Sequence, residues 1–158
     1  MCIFSKPLST GKLAPNFSLP DQDNKLRTLS EFRGSYVVLY FYPKDNTPGC
    51  TKEACGLRDN FDTFAKQSII IVGVSYDSPE THAQFKEKHQ LPFTLLSDTD
   101  KKVAHLYGAN RKLIPLPQRM TFIINPQGII CAILPKVDVT THATDILELI
   151  EQDEKNNT

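Results

Sequence analysis

The sequence has little cysteine, no excess of charge of either sign and no long hydrophobic run. Its 158 residues include four cysteines, 18 Lys plus Arg and 18 Asp plus Glu, so the formal net charge is zero. Four cysteines are too few for a disulfide-stapled secreted scaffold, which a domain of this size does not need. A chain without net charge has no global basic field that would attract nucleic acid or anionic lipid. We therefore expect cysteine chemistry to be catalytic rather than structural, and neither nucleic acid nor a membrane to be a partner.

The hydrophobic runs and the start of the chain indicate where the protein resides. The longest apolar runs, at 36–42 and 69–72, are far shorter than the roughly 20 residues that a membrane-spanning helix needs. The first twelve residues, MCIFSKPLSTGK, have neither the apolar core of a secretory signal nor the Arg and Ser richness of a transit peptide. We expect a soluble protein with a cytoplasmic location.

The chain shows no internal repeat, no low-complexity tract and no Gly- or Ser-rich linker. With 40% hydrophobic residues, its length suits one core that buries about 68–70% of the unfolded surface. The sequence therefore predicts a single domain over 1–158, with loose ends at 1–10 and 151–158.

Short strand patterns alternate with segments of helical period between these ends. Strands are predicted at 17–19, 36–41, 69–74, 94–96, 119–124 and 129–134. Helices are predicted at 50–67, 78–89, 141–152 and over a segment that ends at Tyr107. Strands joined by helices pair in parallel, and the late hairpin adds antiparallel strands. This order favours an α/β fold with a central mixed sheet flanked by helices, which suits a thioredoxin-like domain, although the pattern also permits a flavodoxin-like sheet.

The segment 40–55, with the sequence YFYPKDNTPGCTKEAC, carries the most informative chemistry. A buried strand leads into a loop rich in Pro and Gly, and Cys50 follows where a helix begins. A helix N-terminus carries partial positive charge and unpaired N–H groups, which favour the thiolate form of a cysteine. The hydroxyl of Thr47 could donate to that sulfur or accept from a bound substrate, and Pro43 and Pro48 stiffen the loop. We expect Cys50 to be a thiolate near neutral pH.

A C-x4-C pair by itself has a simpler interpretation. Free cysteines often serve as small hydrophobic residues, and Cys50 and Cys55 could be ordinary residues in the first turns of a helix. The position of Cys50 after Pro-Gly, between a buried strand and a helix, favours the chemical interpretation.

The chain resembles the peroxiredoxins. The segment Pro43-Lys-Asp-Asn-Thr47-Pro-Gly-Cys50 matches their P-x-x-x-T-x-x-C signature, and Thr51-Lys-Glu-Ala-Cys55 resembles their Q-type branch, also called the bacterioferritin comigratory protein group. Supporting similarity occurs at 11–17 (GKLAPNF), 29–34 (LSEFRG), 73–78 (GVSYDS) and 119–124 (RMTFII). The resemblance covers roughly residues 10 to 150.

This resemblance implies a thioredoxin-like fold and a role for five residues. Cys50 is the expected peroxidatic cysteine, with Pro43 and Thr47 as its pocket partners and Arg119 as the guanidinium that supports the thiolate. Cys55 is the expected resolving cysteine. The Pro-rich segment before Arg119 is unusual for the family, and it bears on where that guanidinium is placed.

The resemblance also implies a reaction. The protein would reduce hydrogen peroxide and organic hydroperoxides through a cysteine sulfenic acid and an intramolecular Cys50–Cys55 disulfide, with thioredoxin or a similar dithiol as reductant. Thiolate attack on an O–O bond needs donors for the leaving oxygen and nothing redox-active beyond sulfur. We therefore expect no flavin, haem or metal cofactor, and we expect a monomer, as is common in this branch.

The remaining titratable residues form no recognised motif. His82, His89, His105 and His142 show neither an H-E-x-x-H pattern nor a Cys plus His cluster, so we expect solvated or capping histidines and no metal site. Glu53 either orients Arg119 or favours the first turn of its helix.

The other two cysteines are expected to be bystanders. Cys131, within a predicted strand, should be a buried core residue, and Cys2 should be an exposed thiol of the N-terminal tail.

Two other classes of function compete with a peroxidase. A protein disulfide oxidoreductase would use a C-x-x-C pair, which the chain lacks. A non-enzymatic redox-sensing or iron–sulfur module could use the C-x4-C pair, but the further C-x2-C thiols of plant-type clusters are missing. The redox-sensing module stays open as the alternative.

Overall fold

The structure is a computed structural model, and it describes residues 8–157 of the chain. Strands and helices alternate along these residues. The strands are β1 (Ser18–Pro20), β2 (Leu26–Thr28), β3 (Tyr36–Phe41), β4 (Ile69–Ser75), β5 (Thr94–Ser97), β6 (Met120–Ile124) and β7 (Ile130–Leu134). The helices are α1 (Pro48–Asp59), α2 (Phe61–Lys66), α3 (Pro79–His89), α4 (Lys102–Tyr107) and α5 (His142–Asn156). Within 8–157, no helix combines the length and hydrophobicity that crossing a membrane requires. Cys2, expected to be an exposed thiol, lies outside the described residues.

Five of the strands form one mixed sheet in the order β5-β4-β3-β6-β7. β4 pairs in parallel with β3 and β5, whereas β6 pairs antiparallel with β3 and β7. The parallel strands are joined by helical crossovers, and the antiparallel pair β6–β7 is joined by a tight turn. The predicted mixed sheet is confirmed, and its antiparallel half does not fit the flavodoxin-like alternative. The hairpin of β1 and β2 is separate from this sheet, and the sequence patterns predict only its first strand.

β3 is the central strand because both of its faces are buried. Leu39 and Phe41 belong to the core on one face of the sheet, and Val38 and Tyr40 belong to the core on the other. This two-sided burial explains the continuous apolar sequence of the strand. α1, α2, α3 and α5 supply the core on the Tyr40 face, whereas α4 and the β1–β2 hairpin supply the opposite core. Cys50 belongs to the core on the Tyr40 face.

The structure divides the helix predicted over 50–67 into α1 and α2. Asn60, between them, leaves helical geometry with φ −105° and ψ 10°, and its side-chain amide donates to the carbonyl of Gly56 at 2.8 Å. Asparagine competes with helical hydrogen bonds in this way. The apolar period of Leu57 and Phe64 continues across the break, so periodicity alone predicts one helix.

The loose end expected from residue 151 is helical as far as Asn156. The hydroxyl of Tyr36, at the start of β3, donates to the carboxylate of Asp153 at 2.5 Å. Glu151 and Lys155 also form an ion pair one turn apart. A tertiary hydrogen bond therefore holds a segment whose polar sequence suggests fraying.

The packing of Tyr40 against β4 predicts that Gly73→Ala is destabilising. A Cβ atom at Gly73 would lie 2.9 Å from the ring and hydroxyl of Tyr40 and 3.0 Å from the side chain of Leu95. Tyr40 is fully buried, so it has no room to move, and overpacking of this kind costs about 1–3 kcal/mol. Urea unfolding should show that loss in the free energy of unfolding.

Gly56→Ala is the matched control. The nearest atom to a Cβ there is 4.0 Å away and the residue is helical, so alanine should leave stability unchanged or raise it by up to about 1 kcal/mol. Equal effects of the two variants would contradict the role assigned to close packing at Gly73.

Candidate active site

Cys50 lies in the first turn of α1, as predicted. Thr47 is the N-cap, Pro48 is the first helical residue and Cys50 is the third. Proline fits this turn because the N–H group that it lacks would have no helical partner there. Cys50 is only 1% exposed, so the sulfur is covered by protein while it lies at the partly positive end of the helix.

Arg119 reaches the sulfur of Cys50 from the neighbouring strand. β6 pairs antiparallel with β3, with Met120 opposite Phe41, so Arg119 lies beside the end of β3 from which the Cys50 loop departs. Its Nη2 atom donates to the Cys50 sulfur at 3.4 Å. Gly49 permits this approach, because a Cβ there would lie 3.0 Å from the same nitrogen. The unusual Pro-rich segment therefore does not direct Arg119 away from the sulfur.

The sequence leaves two roles open for Glu53, orienting Arg119 or favouring the first turn of the helix. The structure favours the first of them. Nη1 of Arg119 donates to Glu53 Oε1 at 2.7 Å, and the Glu53 side chain is fully buried. Burial raises the pKa of the Glu53 carboxyl to about 7, although Arg119 opposes the rise. Cys50 and Glu53 are three residues apart on α1, so they share the helix face that meets Arg119.

Thr47 and Pro43 shape the loop before Cys50. The Thr47 hydroxyl donates to the carbonyl of Lys44 at 2.8 Å, so its proton is directed away from the sulfur. Of the two roles that the sequence allows for Thr47, donation to Cys50 is not formed here, whereas its oxygen can accept a hydrogen bond from a substrate. Pro43 lies two residues beyond the end of β3 and is half-buried.

Cys55 lies on α1, more than one turn beyond Cys50. Both cysteines are free thiols and the helix between them is intact. An α-helix separates residues five positions apart by about 7.5 Å of rise and about 500° of rotation, so their Cα atoms are nearly 9 Å apart. The Cys55 sulfur is half-buried and lies 3.9 Å from Nδ1 of His89 on α3.

Cys131 lies in β7, where it packs against the core on the Tyr40 face. It is half-buried rather than buried, and its thiol donates to the carbonyl of Ile123 at 3.4 Å. Burial raises the pKa of the Cys131 thiol to about 12, which makes it unreactive at neutral pH.

The expectation of solvated or capping histidines is wrong for His82 and His142, which are both buried. His82 lies with Nδ1 2.6 Å from the Asp45 carboxylate and Nε2 3.0 Å from the carbonyl of Leu96. The helical period contains a signal that could have revealed both residues. His82 is three positions before the buried Phe85, and His142 is four positions before the buried Ile146.

Asp45, Asp77 and His82 bring potential metal-binding atoms within 4.8 Å of one another. These atoms are engaged in hydrogen bonds with protein groups. The Tyr42 hydroxyl donates to Asp45 at 2.6 Å, and the Ser75 hydroxyl and the Asp45 N–H group both donate to Asp77. The cluster is therefore a hydrogen-bond network that anchors the loop before Cys50.

Glu53 makes stability fall as the pH rises. The pKa of its carboxyl is about 7 in the folded chain against 4.5 in the unfolded chain, so between these values the folded chain binds more protons. The free energy of unfolding that Glu53 contributes is therefore lost as the pH rises from about 4.5 to about 7. His142 acts in the opposite direction, because burial lowers the pKa of its imidazole to about 4.

Glu53→Gln should gain stability relative to the unsubstituted protein across this range. The difference should grow by about 3 kcal/mol between pH 4.5 and pH 7.5, since each pH unit of pKa difference corresponds to about 1.4 kcal/mol. Urea unfolding at four pH values measures it, with Glu148→Gln, an exposed position on α5, as the control. Parallel pH curves for Glu53→Gln and the unsubstituted protein would contradict the buried titration.

Comparisons with known proteins agree with this geometry. Residues 10–133 match the profile of the AhpC/TSA family. A Coxiella burnetii protein named "Putative peroxiredoxin bcp" is 44% identical over 146 residues, which cover 89% of this chain and 97% of that protein. The chloroplastic peroxiredoxin Q of Populus jackii is 45% identical over 129 residues, but the match spans 81% of this chain and only 60% of that longer protein.

Solved structures agree as well. A structure of the Xanthomonas campestris bacterioferritin comigratory protein, from work on its alkyl peroxide reduction activity, superposes with a TM-score of 0.83 at 31% identity. The match covers 87% of this chain and 91% of that chain. The thioredoxin-like fold that the sequence predicts is thereby confirmed, and the chain belongs to the AhpC/TSA family, within the Q-type, or bacterioferritin comigratory protein, group of peroxiredoxins.

Proposed function

We propose that the chain is a thiol peroxidase in which Cys50 reduces hydroperoxides. The observation that carries the proposal is the Cys50 sulfur in the first turn of α1, bonded at 3.4 Å to the Arg119 guanidinium. Both features stabilise negative charge on sulfur. The sulfur bonds to the terminal oxygen of the hydroperoxide as the O–O bond breaks, and the peroxide proton passes to the leaving oxygen. The products are an alcohol, or water when the substrate is hydrogen peroxide, and Cys50 sulfenate, which takes up a proton from solvent to become the sulfenic acid.

The residues around Cys50 each take a role in this step. Arg119 stabilises the charge that moves from sulfur onto the leaving oxygen. Thr47 accepts a hydrogen bond from the peroxide, since its own proton is committed to Lys44. Pro43 stiffens the loop before Cys50 and is proposed to shield the thiolate from water. The chemistry uses sulfur alone, so no cofactor is invoked.

The substrates are hydrogen peroxide and organic hydroperoxides. The alkyl peroxide reduction named for the Xanthomonas campestris protein supports the second class. The nearly complete cover of Cys50 also suits a small peroxide group that enters end-on.

Cys55 is proposed to resolve the sulfenic acid. Its thiol attacks the Cys50 sulfur, a disulfide forms and water leaves, so atoms and electrons balance. A dithiol such as thioredoxin then reduces the disulfide to two thiols. A disulfide tolerates a Cα separation of less than about 7 Å, so the first turns of α1 must open for this step.

The partners, oligomeric state and cellular location of the protein are also proposals. The balanced charge supports neither nucleic acid nor anionic membrane as a partner, and the protein is proposed to act as a monomer in the cytoplasm. Light scattering and fractionation of source cells test these two points.

Cys50→Ser should abolish peroxide reduction, because an alcohol does not supply the anionic nucleophile. The assay follows peroxide consumption by the purified protein with thioredoxin, thioredoxin reductase and reduced nicotinamide cofactor. Cys131→Ser is the matched control and should keep full activity, since the high pKa of Cys131 leaves that thiol unreactive. Oxidation of Cys50 without turnover by any dithiol would favour the redox-sensing alternative.

Stoichiometric peroxide should join Cys50 to Cys55 and open the start of α1. Peptide mapping identifies the bond, and amide exchange over residues 50–58 should be faster in the oxidised protein because its helical hydrogen bonds are broken. Cys55→Ser should instead accumulate sulfenic acid and then overoxidised Cys50. A bond from Cys50 to Cys131 or to a second chain would overturn this resolution step while sparing the peroxidase proposal.

A further inference from the structure

The residues that support Cys50 continue beyond Arg119 and Glu53 to a histidine on α5. His142 is the first residue of this helix and is 2% exposed. Its Nδ1 atom lies 3.3 Å from Glu53 Oε2, and its Nε2 atom lies 2.8 Å from the Thr121 hydroxyl on β6. Five side chains thus form one row, which we call the Cys50 relay: Cys50, Arg119, Glu53, His142 and Thr121.

Two atoms in the middle of the Cys50 relay are buried and have no hydrogen-bond partner among residues 8–157. They are Glu53 Oε2 and His142 Nδ1. Buried polar atoms are seldom left unpaired, because each then keeps the full cost of its desolvation. These two atoms are 3.3 Å apart, so a small rotation of the ring would let one proton between them satisfy both.

The location of that proton depends on the charge of Glu53. Burial lowers the pKa of the His142 imidazole to about 4, so the ring is neutral at pH 7 and carries one proton. When Glu53 is ionised, the ring proton on Nδ1 donates to Oε2 and the Thr121 hydroxyl donates to Nε2. When Glu53 is protonated, its carboxyl donates to Nδ1, and the ring proton on Nε2 donates to Thr121.

We propose that His142 is a positioning residue for peroxide reduction, whose Nδ1–H group holds Glu53 in its ionised form and so fixes Arg119 beside Cys50. This role rests on the proposed peroxidase function. His142 does not contact the sulfur, and it acts through the carboxylate and the guanidinium. Glu53 then has a donor on each oxygen, so its carboxylate cannot rotate away from Arg119.

The groups around His142 leave its ring neutral. Asp145, on the same helix, raises the pKa of the imidazole, whereas burial and the charge of Arg119 lower it, and burial has the largest effect. The centroid of the Tyr40 ring, on β3, lies 6.0 Å from that of the His142 ring. Burial holds the pKa of the Tyr40 hydroxyl well above the usual value, so it adds no charge. Glu53 is the acidic group that the ring nitrogen faces directly.

His142→Leu should slow the reaction of Cys50 with hydrogen peroxide about tenfold at pH 7.5, the effect of one lost hydrogen bond to a charged group. The pH at which this rate reaches half its plateau should also rise by about one unit, because an unpaired Oε2 disfavours the carboxylate. His142→Gln, which keeps an N–H donor, should recover most of the rate. The control is His105→Leu, at an exposed position on α4, which should leave the rate and its pH profile unchanged.

A measurement without turnover tests the same hydrogen bond. In protein with ¹³C-labelled glutamate and ¹⁵N-labelled histidine, NMR titration follows the Glu53 carboxyl, assigned with Glu53→Gln, and the His142 tautomer. We expect the Nδ1–H tautomer above the Glu53 midpoint and the Nε2–H tautomer below it, with a higher Glu53 midpoint in His142→Leu. An Nε2–H tautomer at pH 8.5, or an unmoved Glu53 midpoint, would overturn the inference.

The two readouts separate this inference from the proposed function. An unsubstituted protein that consumes no peroxide would overturn the peroxidase proposal, and the positioning role with it. An active protein whose Glu53 titration ignores His142 would overturn the positioning role alone. If His142→Leu does not fold, the tautomer of the unsubstituted protein still decides the question.

Discussion

The Arg119 guanidinium is the group on which the site depends, because it bonds both to the Cys50 sulfur and to the buried Glu53 carboxylate. Three parts of the fold must agree for these bonds to form. The pairing of β6 with β3 brings Arg119 to the end of the central strand, the first turns of α1 place Cys50 and Glu53 on one face, and Gly49 leaves space for the guanidinium. A single arginine therefore links the sheet to the helix that carries the reactive thiol.

This arrangement buries a charge, and the desolvation of a buried charge reduces the free energy of unfolding. Burial raises the pKa of Glu53 to about 7, which means that the folded chain resists its ionisation even with Arg119 in contact. An apolar residue at the same position would pack without that cost, but it would leave the Arg119 fork without the carboxylate that orients it. The pair is therefore better explained by the position of a charge beside sulfur than by a contribution to folding.

α1 has two conflicting requirements. The intact helix holds Cys50 at its N-terminus beside Arg119, yet the same helix keeps Cys50 and Cys55 too far apart for a disulfide. Ala54 and Leu57 anchor the later part of the helix in the core, and Cys50 is held at its start by the same core and by Arg119. Opening of the first turns is therefore the proposed way to satisfy both requirements, with the later part of the helix still packed.

Features that depend on neighbours along the chain were determined by the sequence. The apolar runs predict β3 and β4 because a strand buried on both faces has no polar side to alternate with. The Pro-Gly loop before Cys50 predicts a thiol at the start of a helix, because proline fixes φ at a value that suits the first helical turn. Together these patterns predict the mixed sheet, the position of Cys50 and, through resemblance, the family.

Features that join distant parts of the chain were decided only by the tertiary structure. Glu53 and Arg119 are 66 residues apart, and their contact depends on the register between β3 and β6 and on how α1 packs against the sheet. Burial of His142 likewise follows from the docking of α5, and the helical end of α5 follows from the Tyr36–Asp153 hydrogen bond. Periodicity reports which face of an element is apolar, but it does not report which polar groups the folded chain brings together. The reactive cysteine can therefore be identified from the residues next to it in the sequence. The charged groups around it can be identified only from the folded chain.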